Sequence, residues 1–571
     1  MSPAPVVATR TLRRQAWLER WFGPFAVTVL GGALRFWNLE APYTLMFDET
    51  YYVKDAYSLM RRGYESKWAE DMDHLFAAGD FSAMLTDPSY AVHPPVGKWL
   101  IGLGMWLFGP DSSFGWRFST ALFGTAAVFL VILVGWRLFN SQALGLIAGL
   151  LLAVDGIGIV LSRTGLLDVF LMFFALLGFW FTLKDRAVMD ERLALALRTP
   201  VGHGANGAPR YPGRVYGPRL GMRWHLVGAG VALGLATGVK WSGLFFLAAF
   251  GALVVAWDAA ARRRAGVRRW VAAGCLLDGV KAFLLMVPVA FVVYVGSWTG
   301  WLMTKGGYFR DWADKNPGEG VLWLPAPLRS LLHYHLEAYK FHTTLTSEHT
   351  YMSNPALWLI QQRPTCVYYT THPTCSSAEC SQEILALGNP LIWWFGVIAL
   401  GVVIYNAVVW ADRRCWAILM GYVGGYLPWL FYAHRTIFNF YTVAFLPYVV
   451  LALAYAAGRL IGPPVGSDGA AGLGIARAPA RAVSGRAVGE FGDLRPAARG
   501  ARWPADLGAA ALSPFARPAD PQPRRRRRAI IAVTVLLSLI LFMSAFFWPI
   551  WSAGSVPKIF WQLHMWMPSW I

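Results

Sequence analysis

A chain of 571 residues that is 56% hydrophobic and holds 29 tryptophans carries more long apolar runs than a soluble domain would. Its formal net charge of +19 invites a nucleic-acid partner. The arginines cluster in loops between apolar runs, however, as the positive-inside rule expects of a membrane protein, and this excludes nucleic acid.

The basic N-terminus, with Arg10, Arg13, Arg14 and Arg20, places the start of the chain inside. The apolar run from Trp21 to Trp37 has no small-residue cleavage site and reads as a retained first span going outward. It delivers the acidic pair Asp48-Glu49 to the outer side, in a polar, aromatic loop. The piece from Trp99 to Phe108 is only about 15 Å long as a helix, against the ~30 Å needed to span, so it is expected to lie on the outer interface. Crossings at Phe118–Trp136, Gln142–Leu161 and Leu166–Leu183 then lead to an arginine-rich inner loop, which supports that assignment. The stretch from Val227 to Trp257 is too long for one span and is divided at Lys240, near the outer surface. Val271–Trp298 goes out to the largest outer loop, and Leu391–Trp410, Trp416–Tyr432 and Phe438 to about Leu460 follow. The Ala/Gly/Pro/Arg-rich segment 461–528 reads as a disordered, basic inner segment, and Ala529–Trp548 is the last span.

The expectation is therefore an all-α polytopic membrane protein with about eleven transmembrane helices. Residues 1–460 form the main transmembrane unit, with outer loops at about 39–116 and 299–387, and 529–571 supply the last helix and an outer tail. Three of the five cysteines, Cys366, Cys375 and Cys380, share the second loop and permit one disulfide in an oxidising compartment, with the pair left open.

On this topology Asp48, Glu49, His93, Lys98, Arg117, Asp155, Arg163, Asp168, Lys240 and Arg435 all fall on or near the outer face. A single arginine at a span end usually snorkels. Several basic residues outside, against the charge rule, point together to a bound anion such as a lipid-linked phosphate. A carboxylate in a partly dehydrated aromatic loop beside those cations can serve as a base. Asp155 and Asp168 lie inside apolar runs, need partners, and read as site-shaping, with Arg163 the obvious partner for either. Histidines 333, 335, 342 and 349 match no standard zinc spacing, and no metal is expected.

Several stretches in order resemble the protein O-mannosyltransferases of the GT-C fold. They are Phe47-Asp48-Glu49-Thr50-Tyr51-Tyr52, His93-Pro94-Pro95-Val96-Gly97-Lys98, Trp116-Arg117-Phe118-Ser119, Ser162-Arg163-Thr164-Gly165-Leu166-Leu167-Asp168 and Lys240-Trp241-Ser242-Gly243. His349-Thr350-Tyr351-Met352-Ser353 with Arg363-Pro364 is similar to the family's pattern in the large loop. The resemblance implies transfer of mannose, with inversion, from polyprenyl-phosphate mannose to Ser or Thr hydroxyls of exported proteins. The donor is a substrate, and no cofactor is implied. Asp48 would be the base and Glu49 its support. Arg117 would bind the donor phosphate, with Lys98, Arg163, Lys240 and Arg435 as further candidates, and His93, His349 and Tyr351 would shape the site or hold the acceptor. The second loop is too short for the β-rich domain of eukaryotic members. That implies a bacterial plasma-membrane enzyme with its site outside, acting on unfolded or translocating Ser/Thr-rich chains at the secretion translocon. The alternatives are a GT-C transferase with another sugar or a glycolipid acceptor, and, from a different class, a transporter or lipid flippase.

Overall fold

The structure is a computed structural model that describes residues 6–203, 209–210, 213, 215–371, 374–462 and 523–571. Most of the basic segment expected between 461 and 528 lies outside the described residues. Helix α1 (Val6–Phe36) leads through a loop to α2 (Glu49–Arg62), and a short hairpin follows, β1 (Ser66–Trp68) with β2 (Met84–Pro88). Helices α3 (Val96–Phe108), α4 (Ser113–Phe139), α5 (Gln142–Val154), α6 (Gly156–Ser162) and α7 (Asp168–Arg198) come next. Then come α8 (Trp224–Val239), α9 (Gly243–Arg264) and α10 (Trp270–Ser297), the last with a π-helical stretch at Ala273–Gly279.

Helix α11 (Ala326–Thr344) crosses the second loop, followed by strands β3 (Thr365–Thr370) and β4 (Cys380–Ala386). Helices α12 (Pro390–Val409), α13 (Arg413–Gly425), α14 (Asn439–Ile461, its first turns 3-10) and α15 (Pro523–Trp551) complete the bundle. Strand β5 (Ser555–Pro557), beyond α15, pairs antiparallel with β4, so the second loop and the C-terminal tail share one sheet, β3-β4-β5.

Helices stand at each position where a crossing is expected. Among the described residues six are long and apolar enough to span alone, and the bent pair α5–α6, with a 60° break, forms a seventh candidate. The expected division at Lys240 is there: α8 stops at Val239 and α9 starts at Gly243. Helix α3 is the short apolar piece anticipated at Trp99–Phe108, thirteen residues or about 20 Å.

Burial sorts the helices into centre and rim. The apolar stretch of α14 is 83% buried, whereas those of α10 and α15 are 28% and 22% buried and present Phe283, Phe291, Ile531 and Phe542 outward. Lipid tails are as apolar as leucine, so packing between helices rests on close backbone approach. Gly230 and Gly234 provide it on α8, where a Cβ would fall 2.8 Å from the Met286 carbonyl oxygen and 2.7 Å from that of Ala290.

The α5–α6 break is held by polar groups that the broken helix would otherwise leave unsatisfied. Asp155 caps α6 by accepting from the Gly158 N–H at 3.2 Å, and its other oxygen accepts from the Asn389 N–H and the Trp393 indole. Arg35, fully buried on α1, donates to the carbonyls of Leu152, Ala153 and Gly158. The expected pairing of Asp155 with Arg163 is not formed: backbone N–H groups and an indole satisfy the carboxylate oxygens, and Arg163 is taken up by backbone carbonyls. At the opposite end of the bundle Arg223 bridges Asp185 and Asp258, at 2.5 and 2.6 Å, and Arg186 joins Asp258 at 2.7 Å. Cys375 and Cys380 form the disulfide, leaving Cys366 as a thiol.

Candidate active site

A cavity of about 620 Å³ opens at the end of the bundle that carries Asp48. Its polar wall comprises Asp48, Asp55, His93, Lys98, Asp168, Lys240 and Arg435; its apolar wall includes Leu171, Leu244, Phe245, Phe246 and Trp429. Asp48 sits at the N-cap of α2, but its side chain does not cap the helix. The carboxylate faces the cavity, holds a hydrogen bond from Tyr52, and forms no ion pair among the described residues. Burial pushes its pKa up to about 6, with Lys240 pulling down and Asp168 pushing up.

Glu49, the next residue, points away and is fully buried. It accepts two hydrogen bonds from Arg117, at 2.8 and 2.9 Å, and one each from the Gly165 and Met46 N–H groups. Helical geometry explains the division, since consecutive residues at a helix start project about 100° apart. One carboxylate therefore serves the cavity and the other the scaffold.

Arg117 is the main departure from expectation. It does not line the cavity. Besides Glu49 it donates to the carbonyls of Leu39, Glu40, Pro42 and Thr44, and these acceptors engage every N–H of its guanidinium. It clamps the loop before Asp48 and has no donor left for a phosphate. Arg163 also stands off the cavity: its two terminal nitrogens donate to the carbonyls of Leu34, Arg35, Trp37 and Asn38, Trp548 stacks 5.8 Å away, and its buried Nε has no acceptor among the described residues. Asp155 also lies off the cavity, in the α5–α6 break.

Lys240, Lys98 and Arg435 do line it. Lys240 pairs with Asp168 at 2.7 Å and lies 5.0 Å over the Tyr441 ring. Lys98, almost fully buried, binds Glu65 at 2.5 Å, with Asp55 at 3.8 Å. Arg435 differs from both: among the described residues it forms no ion pair and its buried Nε has no hydrogen-bond acceptor. A half-buried guanidinium that lines a cavity and keeps an unmatched buried N–H is suited to an anion.

His93 and His342 stack 5.4 Å apart, and burial holds both well toward the neutral form, reinforced by the field of Lys240 and Arg435. His349 and Tyr351 do not line the cavity: His349 packs edge-on against the lining residue Phe438 at 4.9 Å and against Phe47 at 6.2 Å, and Tyr351 lies under Arg363. Sequence reasoning singles out neither Asp55 nor Tyr441, takes His342 only as one of four loop histidines, and names Tyr52 only within the stretch Phe47–Tyr52. Asp55 was within reach, because it follows Asp48 by seven residues, two turns along the same helical face. Tyr52 is closer still, four residues and one turn after Asp48, whereas His342 and Tyr441 come from segments too far away in the chain for spacing to connect.

A family model described as dolichyl-phosphate-mannose-protein mannosyltransferase matches residues 25–196. The chain is 30% identical over 586 aligned positions to a polyprenol-phosphate-mannose–protein mannosyltransferase of Mycolicibacterium smegmatis, covering 100% of this chain and 96% of that one. It is also 30% identical to its counterpart in Corynebacterium glutamicum, over 95% of this chain and 92% of that one. Among solved structures, the Saccharomyces cerevisiae protein O-mannosyltransferase Pmt1–Pmt2 complex bound to the sugar donor superposes with a TM-score of 0.65 at 13% identity, covering 97% and 92% of the two chains. That similarity establishes the GT-C fold. With a full-length match at this identity, the chain belongs to the polyprenol-phosphate-mannose–protein mannosyltransferase family.

Proposed function

We propose that this enzyme transfers mannose from polyprenyl-phosphate mannose to a Ser or Thr hydroxyl of a protein, with Asp48 as general base and Arg435 as the principal ligand of the donor phosphate. The observation that carries the reading is the presence, in one cavity, of a raised-pKa carboxylate and a guanidinium that, among the described residues, have no ion partner and no acceptor respectively. The acceptor oxygen attacks the sugar C1 and gives its proton to Asp48. The C1–O bond to phosphate breaks on the opposite side, so the configuration inverts. The leaving polyprenyl phosphate is already a weak base, so it requires cations rather than an acid. Arg435 meets it directly and Lys240 contributes field across the cavity. Leu244, Phe245, Phe246 and Trp429 give the first isoprene units an apolar wall. The charge pattern supports a cavity on the outer face, and the bacterial relatives support a plasma membrane, where an extended acceptor leaving the secretion translocon could reach it.

The decisive assay incubates the purified enzyme with labelled polyprenyl-phosphate mannose and a Ser/Thr-rich peptide; label confined to lipid-soluble products, never on peptide, would reject the protein acceptor. Arg435→Gln should raise the donor KM by roughly tenfold to a hundredfold, the loss of a charge-assisted hydrogen bond, with little change in the acceptor KM. An unchanged donor KM would move the phosphate elsewhere.

The pH profile follows from Asp48. A base must be ionised, so the rate should be half-maximal near pH 6, fall tenfold per unit below it and level off above about 7. A rate that is flat from pH 5 to 8 would remove Asp48 from the proton-transfer step. Activity should also survive chelators. Lys240 already bridges to Asp168 beside Asp48, so a cation of the protein's own stands where a divalent ion would join the two carboxylates. Loss of turnover in EDTA, restored by Mg²⁺ or Mn²⁺, would contradict this.

A further inference from the structure

A second cavity, of about 430 Å³, lies at the other end of the bundle and has no part in the chemistry above. Helix α7 touches both, with Asp168 and Leu171 in the first and Trp180, Leu183, Arg186 and Asp190 in the second. Eighteen residues separate Asp168 from Arg186, about 27 Å along a helix, which is close to the thickness of a bilayer's hydrocarbon core. The second cavity is therefore at the level of the opposite leaflet's headgroups.

Its lining combines five arginines, Arg20, Arg137, Arg186, Arg413 and Arg414, with one carboxylate, Asp190. Arg186 is matched by Asp190 and Asp258, and Arg414 by Asp412. Arg413 reaches only the already shared Asp190, at 3.8 Å. Arg20 and Arg137 form no ion pair among the described residues; Arg20 is held by stacking 4.8 Å over Trp136. The remaining walls are apolar or aromatic, including Trp21, Leu133, Trp180 and Trp257. An excess of arginine facing indole rings and leucines at headgroup depth matches the two ends of a phospholipid, its phosphate and its acyl chains.

We propose that this cavity binds the phosphate headgroup of an anionic lipid from the leaflet opposite Asp48. Arg20, Arg137 and Arg413 supply the charge, and the α1–α4–α7 walls seat the first methylenes. The shared chemistry is a phosphate anion; the apolar walls favour one carried by a lipid over one free in solution.

The test places the full-length protein in phosphatidylcholine nanodiscs containing a minor share of diazirine-labelled phosphatidylglycerol. After illumination, labelled peptides are mapped. Label should concentrate on the peptides around Trp136 and Trp180, and diazirine-phosphatidylcholine should label them several-fold less. Arg20→Gln with Arg137→Gln should reduce that label by roughly thirtyfold, about fivefold for each basic residue. Inorganic phosphate at millimolar concentration should not compete. Monodisperse elution and undiminished mannosyl transfer in neutral-lipid discs verify that the variant is folded. Equal labelling by the two lipids, or equal labelling of wild type and variant, would overturn the proposal. Displacement of the lipid by inorganic phosphate, together with phosphate retention in lipid-free detergent, would also overturn it and assign the cavity to a soluble anion.

Discussion

Replacing Asp48 with Asn should lower mannosyl transfer by roughly two to four orders of magnitude, the range that a positioned general base contributes, and leave donor affinity near wild type. The substitution keeps the size and the hydrogen bond from Tyr52 while removing the proton acceptor. Lys240 and Arg435 stay in place to hold the donor phosphate. A thermal measurement should accompany the assay. A carboxylate whose pKa is raised on folding favours the folded state while protonated, at low pH, and that contribution is lost as pH rises through about 6. At neutral pH the ionised Asp48 thus destabilises the fold, and the Asn variant should unfold at the same temperature or higher. Turnover within threefold of wild type would remove the base assignment. Lost activity accompanied by a lower unfolding temperature would show that the substitution damages the fold rather than the chemistry.

Arg117→Ala should disable the enzyme by a different route. Removing one partner of a buried ion pair leaves the other charge uncompensated and costs about 3–5 kcal/mol. Glu49 would be stranded, and four carbonyls of the loop from Leu39 to Thr44 would lose their donors. The expected result is poor yield and a much lower unfolding temperature, with an unaltered donor KM in whatever folded protein is recovered. The double variant Glu49→Ala with Arg117→Ala should be more stable than the sum of the two single losses predicts, because neither charge is left alone. A variant with wild-type stability and a raised donor KM would return Arg117 to the role of phosphate ligand.

The contrast between these two residues shows what a sequence can carry. Span positions, the break at Lys240 and the short α3 follow from hydropathy, length and charge, which are local properties, as does the acidic pair after the first span; only the family resemblance separates Asp48 from Glu49. Arg117 stands off the cavity although its position in the chain suggests a phosphate ligand: a positive charge near the membrane surface is local information, whereas its partners lie on a loop about 70 residues earlier in the chain. The same holds for Asp155, whose neutralisation comes from Asn389 and Trp393. Arg435 and Arg117 look alike as letters beside apolar runs. What separates them is how many acceptors each meets after folding.

The sheet joining the second loop to the tail bears on how the protein is made. Arg363 holds the Thr350 carbonyl, next to the His349–Phe47 contact beside Asp48, and it is itself tied to the Ser569 carbonyl; Ser569 and Trp570 donate to Gln362 and Gln361. A ribosome synthesises residues 555–570 roughly 200 positions after that loop, so these fastenings are added only once α15 has threaded the bilayer. Until then the wall beside Asp48 lacks its brace, and a half-inserted nascent chain carries this cavity unfinished.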